Sequence, residues 1–199
     1  MLFRSNDLMD TYAALTFMGE PVGFVTERQL AAETFRDYQW IVVPNVPAVR
    51  PATVAGLREY MRRGANVILY GNRCFKKDEY WRSQPQRGAA LDRAVNVPAQ
   101  ESRRLLAAQL SGVFARGGLS RVAMVDAGTG GPAWGVDYRV VPRPDAPTLV
   151  SALNVLNKPV EVALDMPGHA LDLVTGARKD LKSLKLDPME FVLLEVTDE

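Results

Sequence analysis

The chain has 199 residues, 47% of them hydrophobic, and its 24 Lys and Arg against 23 Asp and Glu give a formal net charge of +1. That length buries a proper core but holds only one medium domain, or one domain with a small appendage, and the second arrangement is expected. The basic pairs Arg62-Arg63, Lys76-Lys77 and Arg103-Arg104 are scattered rather than massed, which argues against a nucleic-acid or anionic-membrane surface.

From Ser5 to Met18, apolar Leu8, Tyr12 and Leu15 recur at helical spacing with Ser5 or Asn6 available as a cap, and Gly19 closes the helix. "PVGFV" (Pro21 to Val25) reads as a short strand and "RQLAAETF" as a short helix. "WIVVP" (Trp40 to Pro44) is continuous enough for a strand buried on both faces. The clearest helix follows, with Pro51 in its first turn, Val54, Leu57 and Met61 on one face, and Gly64 just past its end. "NVILYG" is another buried strand. This order predicts a parallel sheet with helices on both faces, a flavodoxin-like or doubly wound α/β layout.

Periodicity fails between Lys76 and Gln100, where "KKDEYWRSQPQRG" reads as a long surface loop broken by Pro85 and Gly88. Helix resumes over Glu101 to Ala115 and ends at Gly117-Gly118, and "RVAMVD" is one more strand. Beyond Asp126 short β-like runs ("VDYRVV", "TLVSALNVL", "VEVALD", "ALDLV", "KSLKL", "EFVLLEV") alternate with turn signals, which predicts antiparallel strands in a small β-sandwich. The expected division is therefore an α/β domain over residues 1–130 and a sandwich over residues 131–199.

Three candidate sites follow from the residues. Cys74, the lone cysteine, stands three positions after the glycine that ends "NVILYG". A nucleophile elbow needs small neighbours and a following helix, whereas Phe75 and Lys76 come next. The only histidine, His169, sits in what reads as a hairpin turn of the β-rich tail, so an unreactive thiol is the expectation. "GTGGPA" (Gly128 to Ala133) matches a dinucleotide-binding fingerprint, but Pro132 and the strand pattern after it deny the helix that the motif requires, so no cofactor is expected. Asp78, Glu79, Tyr80 and Trp81 in the long loop combine carboxylates that bond hydroxyls with rings that stack on sugars, a pattern for a substrate-binding cluster. The plainer reading packs Tyr80 and Trp81, and likewise Trp134, onto the protein itself. One cysteine and one histidine fall short of a metal site and of an internal disulfide. No signal-like stretch opens the chain, and no apolar run approaches the roughly 20 residues of a membrane helix. A cytoplasmic protein without a membrane partner is expected.

"YAALTFMGEPVGFVTERQL" followed by "YQWIVVPNVPAVRPATVAGLREYMRRGANVILYG" resembles the β-galactosidase trimerisation domain of glycoside hydrolase family 42 and related families, a flavodoxin-like or class I amidotransferase-like module. The tail from Thr148 to Val196 is similar to the small C-terminal β-sandwich of such glycosidases. The resemblance implies a non-catalytic accessory and oligomerisation region, trimeric if it follows the family, with carbohydrate as the parent enzyme's substrate. A catalytic (β/α)8 barrel of roughly 250 residues has no room here. Only Met1-Leu2-Phe3 precede Arg4 where the family places a full strand, so a C-terminal portion of a longer glycosidase or a stand-alone relative of it is expected. The amidotransferase elbow and its His-x-Glu partner are missing, which confines that likeness to fold. Two competing classes stay open: an amidotransferase-like or hydrolase-like enzyme acting through Cys74, and a carbohydrate-binding protein using Tyr80, Trp81 and Trp134.

Overall fold

The structure is a computed structural model and describes residues 5–32, 38–84, 91–119, 121–166 and 169–197. The expected end of the second helix, the loop positions Pro85 and Gly88, and Pro167 and Gly168 lie outside these residues. The chain divides into two compact units, one containing the residues up to Tyr12 and Gly23–Val113, the other Ala13–Val22 and Phe114–Glu199.

The first unit is α/β. Helix α1 begins at Ser5 and runs to Thr16, and α2 spans Glu27–Ala31. Thr26 caps α2 reciprocally: its hydroxyl accepts from the Gln29 N–H at 3.2 Å, and the Gln29 side chain accepts from the Thr26 N–H at 2.9 Å. Strand β1 (Trp40–Pro44), helix α3 (Pro51–Arg62), β2 (Asn66–Tyr70) and β3 (Val95–Val97) follow, then α4 (Arg103–Arg116). The three strands form a parallel sheet in the order β1-β2-β3, with Ile41 opposite Val67 and Ile68 opposite Val95.

Helix α3 buries Val54, Leu57, Tyr60 and Met61 with Ile41, Val43, Val67 and Leu69 in one core. Each such large aliphatic side chain contributes about 1.5–3 kcal/mol on burial. Helix α2 reaches α3 at Gly56, where any Cβ would collide with the Leu30 carbonyl. The predicted terminators behave as expected: at Gly64 the N–H groups of Gly64 and Ala65 return to Met61 and Tyr60, and at Gly118 those of Gly118 and Leu119 return to Ala115 and Phe114. Both glycines have positive φ, the left-handed closure that lets orphan carbonyls find donors.

The second unit is an antiparallel sandwich. Its larger sheet has the order β5-β6-β11-β8-β9, with β5 at Val136–Arg143, β6 at Ala146–Asn154, β8 at His169–Asp172, β9 at Arg178–Asp180 and β11 at Phe191–Thr197. The smaller has the order β10-β7-β4, with β4 at Met124–Asp126, β7 at Val160–Leu164 and β10 at Leu184–Leu186. Alternate residues point inward, so Val136, Tyr138, Val150, Ala152, Val192, Leu194 and Val196 of one sheet meet Met124, Val162, Leu164, Leu184 and Leu186 of the other. Tyr138 ties the core to main chain: its hydroxyl donates to the Met18 carbonyl at 2.9 Å and accepts from the Met124 N–H at 3.1 Å.

Four sequence expectations are corrected. Pro21 to Val25 is not a strand, and the described parallel sheet has three strands, fewer than a doubly wound layout implies. The run "RVAMVD" is a strand only from Met124, and it pairs antiparallel with β7, Met124 opposite Leu164, rather than joining the parallel sheet. His169 lies not in a turn but in β8, opposite Thr197 and Asp180.

Candidate functional site

In open α/β sheets ligands bind beyond the carboxyl ends of the strands, at a point where the strand order reverses and opens a crevice. Among the described residues the order β1-β2-β3 runs one way, with no reversal. The edge is instead filled by Asn45, directly after β1. Its backbone N–H donates to the Tyr70 carbonyl at 2.7 Å, its side-chain amide donates to Asp7 Oδ2 at 2.8 Å, and its Oδ1 accepts from the Arg73 N–H at 3.1 Å. Asn45 takes a φ of 49°, which asparagine tolerates better than most residues. Gly71 beside it has a φ of 92°, and a Cβ there would lie 2.6 Å from the Asn45 side chain. Neither Asn45 nor Asp7 stands out in the sequence; the available signal is an asparagine immediately after a buried strand.

Cys74 sits behind this closure. Its thiol lies 3.3 Å from the Tyr70 carbonyl and 3.7 Å from that of Val43, and it packs against the core of the first unit. Burial pushes the thiol pKa up and the Asp7 carboxylate adds to that, against partial relief from the Val46 and Asn45 backbone. The proton is therefore held, the opposite of what a cysteine nucleophile needs. The next residue, Phe75, is fully buried at a φ of 59°. The chain here dives into the core rather than forming a sharp exposed elbow. The only histidine belongs to the second unit, where its side chain is exposed.

The other candidates come together in one β-hairpin. Lys76 accepts from the Gln84 N–H, Asp78 donates its N–H to the Arg82 carbonyl at 3.0 Å, and the Trp81 N–H returns to the Asp78 carbonyl at 3.0 Å. The first arm is fixed to the segment before α3 by Lys77 N–H to Pro47 at 2.9 Å and Val49 N–H to Lys77 at 3.2 Å. Asp78, 2% exposed, faces inward; its carboxylate accepts from the N–H groups of Tyr80 and Arg82, both at 2.9 Å, and from Arg82 Nε at 2.8 Å. Burial opposes the charge, but the Arg82 and Tyr80 donors outweigh it and hold the carboxyl below its ordinary range. That group builds the turn and has little left for a ligand.

Tyr80 and Trp81 face outward at 71% and 50% exposure, and Glu79 is exposed between them and Asp78. Lys77 Nζ stands 4.7 Å from the centre of the Trp81 ring and the Arg82 guanidinium 5.0 Å from that of Tyr80. The sequence reading missed both cations as ring partners; the signal was a lysine four residues before Trp81 and an arginine two after Tyr80. Trp134 packs edge-on against Phe17 with ring centres 4.8 Å apart, both in the second unit.

Residues 127–135 connect β4 to β5 with no helix: Asp126 Oδ1 accepts from Thr129 N–H at 2.8 Å and Gly128 N–H at 3.2 Å. Among the described residues no group of three or more His, Cys, Asp or Glu gathers for a metal. None of their helices is long and apolar enough to cross a membrane.

The described residues thus define an α/β unit and an antiparallel sandwich in one chain. The fold is shared with glycoside hydrolase family 42 enzymes. An exo-carrageenase of that family from Bacteroides ovatus aligns with a TM-score of 0.74 at 23% identity, over 98% of this chain and 27% of its own. A β-galactosidase of the family from G. stearothermophilus gives 0.67 at 14% identity, over 96% and 36%. The β-galactosidase of Bacillus circulans sp. alkalophilus gives 0.66 at 10% identity, over 98% and 38%. The resemblance drawn from the sequence thus holds at the level of fold, and the chain spans from about a quarter to under two-fifths of those proteins. No protein-family model and no curated protein matches the chain.

Proposed function

We propose that the chain is a non-catalytic accessory region of a β-galactosidase-like glycoside hydrolase, a flavodoxin-like oligomerisation domain with a bracing β-sandwich, assembling as a trimer in the manner of the family it resembles. The observation that carries this reading is the match in fold of nearly the whole chain to a minor part of β-galactosidases and an exo-carrageenase. The carboxyl edge of the parallel sheet supports it, since Asn45 spends its side chain there on Asp7 and the Arg73 N–H. In the full assembly the hairpin from Lys76 to Ser83 extends toward a neighbouring catalytic barrel and helps to close its sugar site.

Two measurements on the chain test the proposal. Assayed on aryl β-galactosides and aryl amides, it is expected to give no turnover above background. Light scattering across a concentration series is expected to show association to a trimer. Turnover abolished by Cys74→Ser overturns the non-catalytic reading, and a monomer at every concentration overturns the assembly role of this region.

A further inference from the structure

We propose that the tip of the 76–84 hairpin binds anionic saccharides, stacking a sugar ring on Trp81 and Tyr80 while Lys77 beside Trp81 holds a sulfate or carboxylate substituent. The inference rests on the carbohydrate setting proposed above and names a ligand class for it.

Three observations carry it. Two adjacent large aromatic side chains are exposed at one tip, each with a cation over one face of its ring. A ring engaged on one face keeps the other for the C–H face of a pyranose, and the cation beside it gives an anionic substituent a partner at the same place. Second, Trp81 occupies a left-handed position, φ 64°, which follows a turn and suits glycine or asparagine. A bulky aromatic held there at a backbone cost is an outlier that folding alone does not favour. Third, Asp78, one of the two acids at the tip, is consumed by its own loop through three donors, one of them the Arg82 guanidinium. Arg82 is paired with Asp78 at 2.8 Å, so the cation that a ligand meets at the tip is Lys77, which stands over the Trp81 ring. That lysine beside the exposed ring favours an anionic substituent over a neutral one.

The test is titration calorimetry of the full chain with three oligosaccharides of equal length: a sulfated galacto-oligosaccharide, an oligogalacturonate and a neutral galacto-oligosaccharide. Vesicles of phosphatidylcholine with phosphatidylserine form a fourth arm, because exposed Trp and Tyr beside Lys also suit a lipid interface. At least one anionic sugar is expected to bind about tenfold tighter than the neutral one, and the stronger arm tells sulfate from carboxylate. Trp81→Gly suits the backbone at that position, so it is expected to melt no lower than the parent while losing about tenfold in affinity. Lys77→Met keeps the apolar stem and is expected to bring anionic and neutral affinities within about twofold. Equal binding of all three sugars, binding unchanged in Trp81→Gly, or binding to vesicles alone overturns the inference. So does the absence of any saccharide binding, which leaves the accessory reading to be judged by its own turnover and light-scattering results.

Discussion

The two units reach stability by different means. In the second, both sheets alternate inward and outward residues, and buried polar side chains staple the strand ends. Asn154 is wholly buried; its two amide N–H groups donate to the carbonyls of Lys158 and Asp187, both at 2.9 Å, with the Leu186 carbonyl sharing one of them at 3.2 Å, and its Oδ1 accepts from the Leu156 N–H. Asp172 opens the Asp172-Leu173-Val174-Thr175-Gly176 turn, accepting from the Val174 N–H at 3.0 Å and the Thr175 hydroxyl at 2.6 Å. The first unit has a short parallel sheet, and three of the four non-glycine residues with positive φ among those described (Asn45, Phe75, Trp81) lie at its carboxyl edge or in the segment that follows. Regular pairing secures the sandwich, whereas strained backbone held by side-chain closure secures the end of the α/β unit.

Substitutions can break that contrast in order of size. Asn154→Ala removes both amide donors from the strand-end carbonyls and the acceptor of one N–H, and is expected to cost about 3 kcal/mol in urea unfolding. A cost below about 1 kcal/mol would mean that the strand-end staple does not matter. Gly56→Ala drives a methyl into the Leu30 carbonyl and is expected to cost about 2 kcal/mol, against the gain that Gly→Ala usually brings within a helix. A more stable Gly56→Ala protein would show that α2 moves away freely.

Asp172 gives the next effect, and its sign follows from its titration. Burial raises its pKa, but the Thr175 hydroxyl, the Val174 N–H and the Lys179 charge prevail and lower it. A carboxyl with a lowered folded pKa contributes stability that is present above its unfolded value, about 3.9, and is lost as pH falls through the folded value. Asp172→Asn is therefore expected to cost about 1 kcal/mol at neutral pH and to flatten the acid limb of the stability curve below about pH 4. An unchanged limb would assign the acid sensitivity to other carboxylates. The smallest effect has the opposite sign: Trp81→Gly releases the left-handed strain and is expected to stabilise by about 1 kcal/mol in thermal melts. A destabilised variant would mean that the ring on Lys77 contributes more than the backbone loses.

The same contrast explains what could be read from the chain in advance. The sandwich was legible because period-two runs between glycine and proline turns encode both the strands and their faces; Val192, Leu194 and Val196 point inward as their spacing demands. Only the short β9, charged at Arg178, Lys179 and Asp180, carried no apolar signal. Helix ends were legible for a similar reason, since Pro51, Gly64 and Gly118 act locally. In the α/β unit β3 was hidden, because Val95 and Val97 flank a single asparagine and strand pairing with β2 is a tertiary fact. The sheet to which β4 would belong was equally invisible, as an isolated apolar run does not specify its partner. At the candidate site, the aromatic cluster was visible as residue types. That Asp78 turns inward while Tyr80 and Trp81 turn out depends on a hairpin register which no local pattern fixes.

The central claim is that the carboxyl edge of the parallel sheet is closed scaffold around a protonated thiol. The rate of Cys74 alkylation in the folded chain, followed from pH 5 to 10, tests it most directly. The account predicts slow labelling that climbs only above the ordinary thiol value of about 8.5 and accelerates when Asn45→Ala opens the edge. Rapid labelling with a plateau below pH 7 in the unaltered chain would contradict it.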